Sequence, residues 1–374
     1  MLRITQQSSA KSAKQCYATA EYYSQGRGIF GSWGGKGAAR LGLDGRVDRL
    51  CFRQLCENLE PMTGKPVTVR TRSKRTVGYT FRFSVSKSVS LLYAMSGDEN
   101  ILDAFRAAVD ESMREMEGEM KTRVRKGRQD TVRTTANMVW AEFVHTTSSP
   151  VEGLCDPQLQ AYIFVFNMTW DGEEGCWKAG MFRQLKSDAP YFQAAFRVRL
   201  TVKLQELGFG VERKGNDFEI AGIPSCVLKR FSRRTALIER LVQERGITDP
   251  RKKAELGPRT RESNGAPRGM DAVRNEWKAR LTDGERQMLA SVYGRKTPYA
   301  LRGDGEAPAV DDAIAHCFER AAVVPERKLI TEALKRGIGA VTIEKVRREL
   351  GKRPLIWRDI AGRRMAAKVG GQGA

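Results

Sequence analysis

Between residues 77 and 84 the chain alternates, with Tyr79, Phe81 and Phe83 on one side and Thr80 and Arg82 on the other, which predicts a strand with one buried face. Lys87 to Ala94 reads as a strand-to-helix entry. From Ile101 to Val124 apolar residues recur at steps of three and four (Leu102, Phe105, Val109, Met113, Met116, Met120, Val124), which predicts one long amphipathic helix whose stripe faces the core. Two further strands are predicted over Asn137–His145 and Gln160–Thr169, both rich in aromatic and β-branched residues. Helices are expected over Asp48–Leu59 and Tyr191–Leu207, and a hairpin over Gly210–Ile220 with its turn at Lys214–Asp217. Beyond Pro224 the pattern becomes helical and more charged; Leu256–Gly269 reads as a linker, and the last hundred residues as short helices ending in a basic tail, Gly362–Ala374. The fold class is therefore α+β: an antiparallel-dominated central sheet with covering helices, plus a helical C-terminal region. The expected division is 1–240 for the sheet domain and 241–374 for a helical, partly flexible region.

Charge narrows the partner. The 374 residues hold 65 Lys and Arg against 44 Asp and Glu, a net charge of +21, and 41% of the chain is apolar. That is enough apolar material for a core, and the positive field favours polyanions. No apolar run is long enough for a membrane span, and Met1–Gln6 lacks the apolar stretch of a signal peptide. The seven cysteines show no CxxC spacing, so reduced thiols in a bacterial cytoplasm are the expectation. His145 and His316 are the only histidines, which leaves little material for a histidine metal site.

Four ordered segments then carry a resemblance. They are the tyrosine-bearing N-terminus with Tyr17, Tyr22 and Tyr23; the run from Trp33 through Gly34, Gly35, Lys36 and Gly37 to Leu43; the run from Gly78 to Ser90; and His145-Thr146-Thr147-Ser148 followed by Asp156-Pro157-Gln158-Leu159. In order and spacing the chain resembles the TrwC/TraI-type (MobF) conjugative relaxases over residues 1–240. The resemblance implies a palm of the histidine-hydrophobe-histidine endonuclease type that binds a hairpin and adjoining single strand at a plasmid transfer origin. It implies a tyrosine nucleophile that stays joined to the 5′ phosphate. It also implies a divalent ion, Mg²⁺ or Mn²⁺, held by three histidines, the first oriented by an Asp. Longer members carry a helicase after the relaxase. No GxxxxGK[ST] loop occurs here, so no such motor is expected in this chain, and a separate helicase or conjugation machinery is the expected partner.

Several family positions are substituted. His145 stands at the first ligand position, but Gln160 and Tyr162 stand at the next two. Their spacing of two still puts both side chains on one strand face, yet an amide oxygen and a neutral phenol are poor partners for the ion. The nucleophile position reads Cys16, followed by Tyr17, which takes the role if the register shifts by one; the second tyrosine pair, Tyr22-Tyr23, is intact. Thr80 replaces the orienting Asp and cannot supply its charge. Ser86 and Ser149 replace an expected Pro and Arg, and His316 lies outside the motif. No cofactor is therefore expected, metal binding being weak or absent, and metal-dependent nicking should be lost or very weak. The alternative is an active nickase of conjugative transfer or rolling-circle replication that uses Tyr17 or Tyr22/Tyr23 with a Lys or Arg phosphate clamp.

DNA binding does not need the lost groups. Basic clusters at Lys65, Arg70, Arg72, Lys74 and Arg75, at Lys121, Arg123, Arg125, Lys126 and Arg128, and at Lys229, Arg230, Arg233 and Arg234 are candidate phosphate contacts. Lys87, between strand and helix, is the leading one near the site. Trp33 is a candidate for stacking on unpaired bases, and Trp140, within a strand, reads more readily as core. A scaffold whose basic surface meets an acidic protein is the competing class.

Overall fold

The computed structural model describes residues 2–14, 31–69, 75–127, 129–249, 252–253, 256, 260, 269–294 and 305–368. In chain order its elements are β1 (Leu2–Gln7), β2 (Ser32–Gly34), α1 (Lys36–Arg40), α2 (Arg49–Cys56), β3 (Gly78–Ser84), α3 (Lys87–Ser96), α4 (Glu99–Gly118), β4 (Lys121–Lys126), β5 (Gln129–Thr134), β6 (Trp140–Thr147), β7 (Pro157–Phe166), β8 (Thr169–Asp171) and β9 (Cys176–Lys178). There follow α5 (Arg183–Ser187), α6 (Ala189–Glu206), β10 (Val211–Lys214), β11 (Asp217–Ile220), α7 (Ser225–Arg230), α8 (Arg233–Glu244), α9 (Met270–Ala279), α10 (Asp283–Gly294), α11 (Glu306–Phe318), β12 (Val323–Pro325), α12 (Glu326–Arg336), α13 (Ile343–Gly351), β13 (Leu355–Ile360) and β14 (Arg363–Lys368). Two compact units emerge, one from the described residues within 1–98, 114–183 and 222–293, the other from those within 99–113, 184–221 and 294–374. The expected boundary after residue 240 falls inside α8.

The first unit is built on a five-stranded sheet in the order β1-β3-β7-β6-β2, every pair antiparallel. Its odd-numbered β7 side chains, Leu159, Ala161, Ile163 and Val165, are wholly buried, as are Phe81 and Phe83 of β3. On that side Tyr79 stacks on Phe182 at 4.1 Å between ring centroids, and Phe81 meets the same ring edge-on. The other sheet face changes character along its length. At one end Phe164 and Phe166 pack against Phe52 of α2 at 5.3 and 5.2 Å, in a core cluster that includes Trp33, Ala38, Leu55, Ala141 and Phe143. Asp48 caps α2 by accepting from the Cys51 N–H, and that bond holds its carboxyl below the usual range. At the other end the same face turns polar, with Arg82, Gln160 and His145.

The long apolar stripe is core as expected: Leu102, Phe105, Val109, Met113 and Met116 are buried. The predicted helix, however, ends at Gly118, and Val124 belongs to β4, which pairs with β5 in a hairpin turned at Gly127. A four-residue step from Met120 to Val124 fits a strand as well as a helix, because four is also a multiple of two. Thr122 and Val124 are buried while Arg123 and Arg125 are exposed, which is strand alternation.

In the second unit the hairpin expected at 210–220 forms as β10 and β11, with Lys214 opposite Asp217. Arg197 of α6 donates to the Asn216 carbonyl at 2.6 Å and to the Asp217 carboxylate at 2.5 Å, fixing the turn. The C-terminal helices α11, α12 and α13 are joined by a three-stranded sheet, β12-β14-β13, that the helical pattern did not foretell. Residues 363–368, expected as part of a basic tail, form its central strand. Ala361 and Gly362 both have positive φ and close the two-residue turn between β13 and β14. Among the described residues no helix is long and apolar enough to cross a membrane.

Candidate nucleic-acid interface

Strand pairing alone assembles the polar end of the sheet. His145 lies directly opposite Gln160 across β6 and β7, and Arg82 and Ser84 of β3 lie opposite Tyr162 and Gln160. Directly paired residues share a face, so the three expected ligand positions converge, and Arg82 converges with them. The His145 and Tyr162 rings are 4.9 Å apart. His145 is 3% exposed and Gln160 4%.

The Gln160 amide is already committed. Its Oε1 accepts from Arg82 Nε at 3.0 Å, and its Nε2 donates to the Thr147 carbonyl at 3.0 Å, where the β6–β7 register slips after His145. The Arg82 guanidinium lies over the Tyr162 ring, 5.3 Å from its centroid. Thr80 accepts from Gln7 Nε2 at 3.1 Å, which ties it to β1, and its hydroxyl carries no charge. Among the described residues no group of three or more His, Cys, Asp or Glu is placed to hold a metal. A divalent ion at this position would face a fixed cation, and the one amide oxygen pointing toward it already binds that cation. The residues present do not fit the family's ion.

The four nucleophile candidates, Cys16, Tyr17, Tyr22 and Tyr23, lie outside the described residues, as do Arg70, Arg72, Lys74, Arg128 and the Lys126 side chain. The other candidate phosphate contacts divide sharply. Lys87 donates to the Pro157 carbonyl at 2.7 Å, so it braces the start of β7. Arg75 donates to the Cys56 carbonyl at 2.5 Å, and burial lowers its pKa. Arg233 donates through its backbone N–H and Nε to Asp156, itself 3% exposed, and Arg280 donates to the same carboxylate at 2.8 Å. Arg230 pairs with Glu285 and with the Arg280 carbonyl, and Arg234 is half-buried. Arg123 and Arg125 are exposed and share Asp130 at 3.6 and 3.9 Å, a loose arrangement open to exchange for phosphate. Trp33, 9% exposed and packed against Phe166, belongs to the core, so the stacking role expected of it does not fit; Trp140 is core as read.

The glycine-rich run beside Trp33 has a steric cause. A Cβ on Gly34 would lie 2.3 Å from Trp140 Nε1, and one on Gly35, whose φ is +95°, 2.3 Å from the Met138 carbonyl oxygen. The run therefore presses its backbone onto the approach to β6. Glu117, buried at the end of α4, fixes it there: Oε1 accepts from the Lys36 N–H at 2.8 Å and from the Met138 N–H at 2.9 Å. Burial raises the Glu117 carboxyl above its ordinary range, and those two bonds only partly oppose it. Nearby, Asp171 accepts from Arg133 at 2.7 Å and Lys178 at 3.0 Å; burial pushes this carboxyl up, but those bonds outweigh it and hold it at about 2.

Sequence reasoning missed Arg82 and Glu117 as functional or positioning groups. Arg82 carried a usable signal, since it stands two residues after Thr80 in an aromatic strand and hence on the same face. Glu117 gave none, because its partners are backbone N–H groups far away in sequence.

Known proteins resemble this chain in sequence and in fold. A sequence model of the family described as TrwC relaxase matches residues 5–283. The multifunctional conjugation protein TraI of Escherichia coli K12 is 31% identical over 271 residues, 69% of this chain and 15% of that protein. Another Escherichia coli TraI is 28% identical over 362 residues, 92% of this chain and 20% of that protein. The chain thus spans a fifth or less of the length of these relatives. The metal-bound structure of conjugative relaxase TrwC with oriT DNA superposes with a TM-score of 0.68 at 28% identity, covering 78% of this chain and 99% of that one. A copper-bound TrwC–DNA complex gives 0.69 at 27% identity, with the same coverage. TrwC bound to a 27-mer comprising the recognition hairpin and the cleavage site gives 0.66 at 28% identity, again over 78% of this chain and 99% of that one.

Proposed function

Since this chain belongs to the TrwC relaxase family, we propose that it binds single-stranded and hairpin DNA of a transfer-origin type and no longer performs metal-dependent nicking. The reading carries over what the solved relatives hold, oriT DNA with its hairpin, to a chain with the same fold and a net charge of +21. A cytoplasmic protein working with conjugation machinery or a separate helicase fits it.

One observation carries the loss of chemistry: the Arg82–Gln160 bond at the centre of the ligand positions. Cutting a phosphodiester requires charge stabilisation that strengthens as negative charge builds on the non-bridging oxygens, together with a nucleophile in line. Without an ion, His145 supplies at most a hydrogen bond from its imidazole, and Thr80 supplies no charge to orient it. What this site's residues do is bind and orient: the β6–β7 register holds His145, and Gln160 holds the Arg82 fork.

The test is anisotropy of a labelled hairpin with a single-stranded arm, paired with a nicking assay on supercoiled and hairpin DNA in Mg²⁺ or Mn²⁺. Salt-sensitive binding without nicked product is expected. A covalent protein–DNA adduct, lost on Tyr17→Phe or Tyr22→Phe, would overturn the loss of nicking. Absence of salt-sensitive binding would overturn the DNA reading in favour of an acidic protein partner.

A further inference from the structure

We infer that Arg82 and Arg3 form a phosphate-binding site that takes the place of the metal, gripping a phosphodiester of single-stranded DNA by fixed protein charge. The inference rests on the DNA-binding reading above and adds to it a located site and a metal-free mode of contact.

Three observations converge. First, Arg82 is oriented before any ligand arrives: Nε is held by Gln160 at 3.0 Å, and the guanidinium plane lies over Tyr162. Its two Nη groups make no hydrogen bond to a described residue, and among the described residues no carboxylate lies within ion-pair distance. A fork with one side anchored and the other open is the geometry that binds two phosphate oxygens at once.

Second, Arg3 of β1 is the direct partner of Arg82 across the β1–β3 pair, so two cations stand side by side on one sheet face. Directly opposed like charges destabilise a strand pair, and an anion between them reverses the sign. Arg3 is exposed, Arg82 is half-buried, and among the described residues β1 is the sheet edge, so the pair faces a DNA strand from that edge.

Third, the position is chemically appropriate. The pair occupies the polar end of the face that carries His145 and Gln160, where the family's ion would meet the phosphate. A guanidinium offers the same sign of charge to the same oxygens, but it does not dissociate and needs no deprotonated ligands.

The test uses the full chain and a labelled hairpin oligonucleotide with a single-stranded arm, titrated by anisotropy at several salt concentrations, with and without EDTA. Wild-type affinity should be unchanged by EDTA. Arg82→Gln and Arg3→Gln should each weaken binding about tenfold and lower the salt slope by about 1. The double variant should lose less than the product of the two, because both arginines serve one phosphate. Arg82→Lys should recover part of the loss, since it keeps the charge but not the fork. Thermal melts check folding; should Arg82→Gln fail that check, Arg3→Gln, at an exposed edge position, decides. Wild-type affinity and slope in both single variants would overturn the site, as would loss of wild-type binding on adding EDTA. A wild-type chain that binds no DNA would instead overturn the parent reading, and that result is separable because it is seen before any variant is made.

Discussion

At the scale of single residues, the exchange of one charge type for another governs the site. Restoring the missing imidazoles alone, by Gln160→His with Tyr162→His, should leave Co²⁺ or Mn²⁺ binding weak, because Arg82 still projects its charge into the triad. Adding Arg82→Ala should strengthen binding by at least tenfold, about 1.4 kcal/mol; calorimetry or the Co²⁺ absorption spectrum reads it, and equal affinity in both backgrounds would show that Arg82 does not exclude the ion. Glu117 offers a separate check. Its folded carboxyl is raised, so its ionisation opposes folding increasingly as pH climbs above 4.5. Glu117→Gln should therefore melt with the wild type near pH 4 and above it at pH 7, whereas Glu117→Ala strands the Lys36 and Met138 N–H groups at a cost of about 1–3 kcal/mol each. Asp171 has the opposite sign. Its carboxyl is held at about 2 rather than 3.8, so its contribution is full above pH 3.8 and is lost as pH falls through 2. Asp171→Asn should be less stable than wild type by ~2 kcal/mol at neutral pH, with the gap closing on acidification.

At the scale of elements, local pattern was readable where one period dominated and unreadable where two coincided. The strict alternation of 78–84 gave β3 and its faces, and the aromatic runs gave β6 and β7 to within a few residues. The first four residues of β4, Lys121 to Val124, were read into the preceding helix because their apolar spacing satisfied both periods. Within the site, the shared face of Gln160 and Tyr162 was legible from a spacing of two. The bond between Arg82 and Gln160 was not, since it joins strands 78 residues apart in sequence. The glycine-rich run was visible as a motif, but its cause, the close pass of its backbone against Trp140 and Met138, belongs to tertiary packing. Gly35→Ala should accordingly destabilise the fold by about 2 kcal/mol or more, from a positive φ and a direct clash, as measured by denaturant unfolding. An unchanged unfolding midpoint would show that the run is not pinned there.

At the scale of the molecule, the excess of positive charge is not spread evenly in its duties. Several cations that looked like phosphate contacts are internal fasteners, as Arg233, Lys87 and Arg75 show, so among the described residues fewer of those candidates are left for DNA than the clusters suggest. The salt dependence of binding should therefore correspond to fewer phosphate contacts than the basic clusters contain residues, a count that anisotropy across salt concentrations delivers directly.

The Asp156 carboxylate has a mechanical corollary. It grips Arg233 and Arg280, which lie 47 positions apart along the backbone, and both come to the same buried acid beside β7. A chain severed at an engineered protease site between those two arginines should remain a single particle on a sizing column, its halves pinned by that acid and by the indole of Trp277 on the Cys155 carbonyl. With Asp156→Ala, the same cut should still leave one particle, because each compact unit draws on both sides of it, but that particle should melt at a lower temperature than the cut wild type.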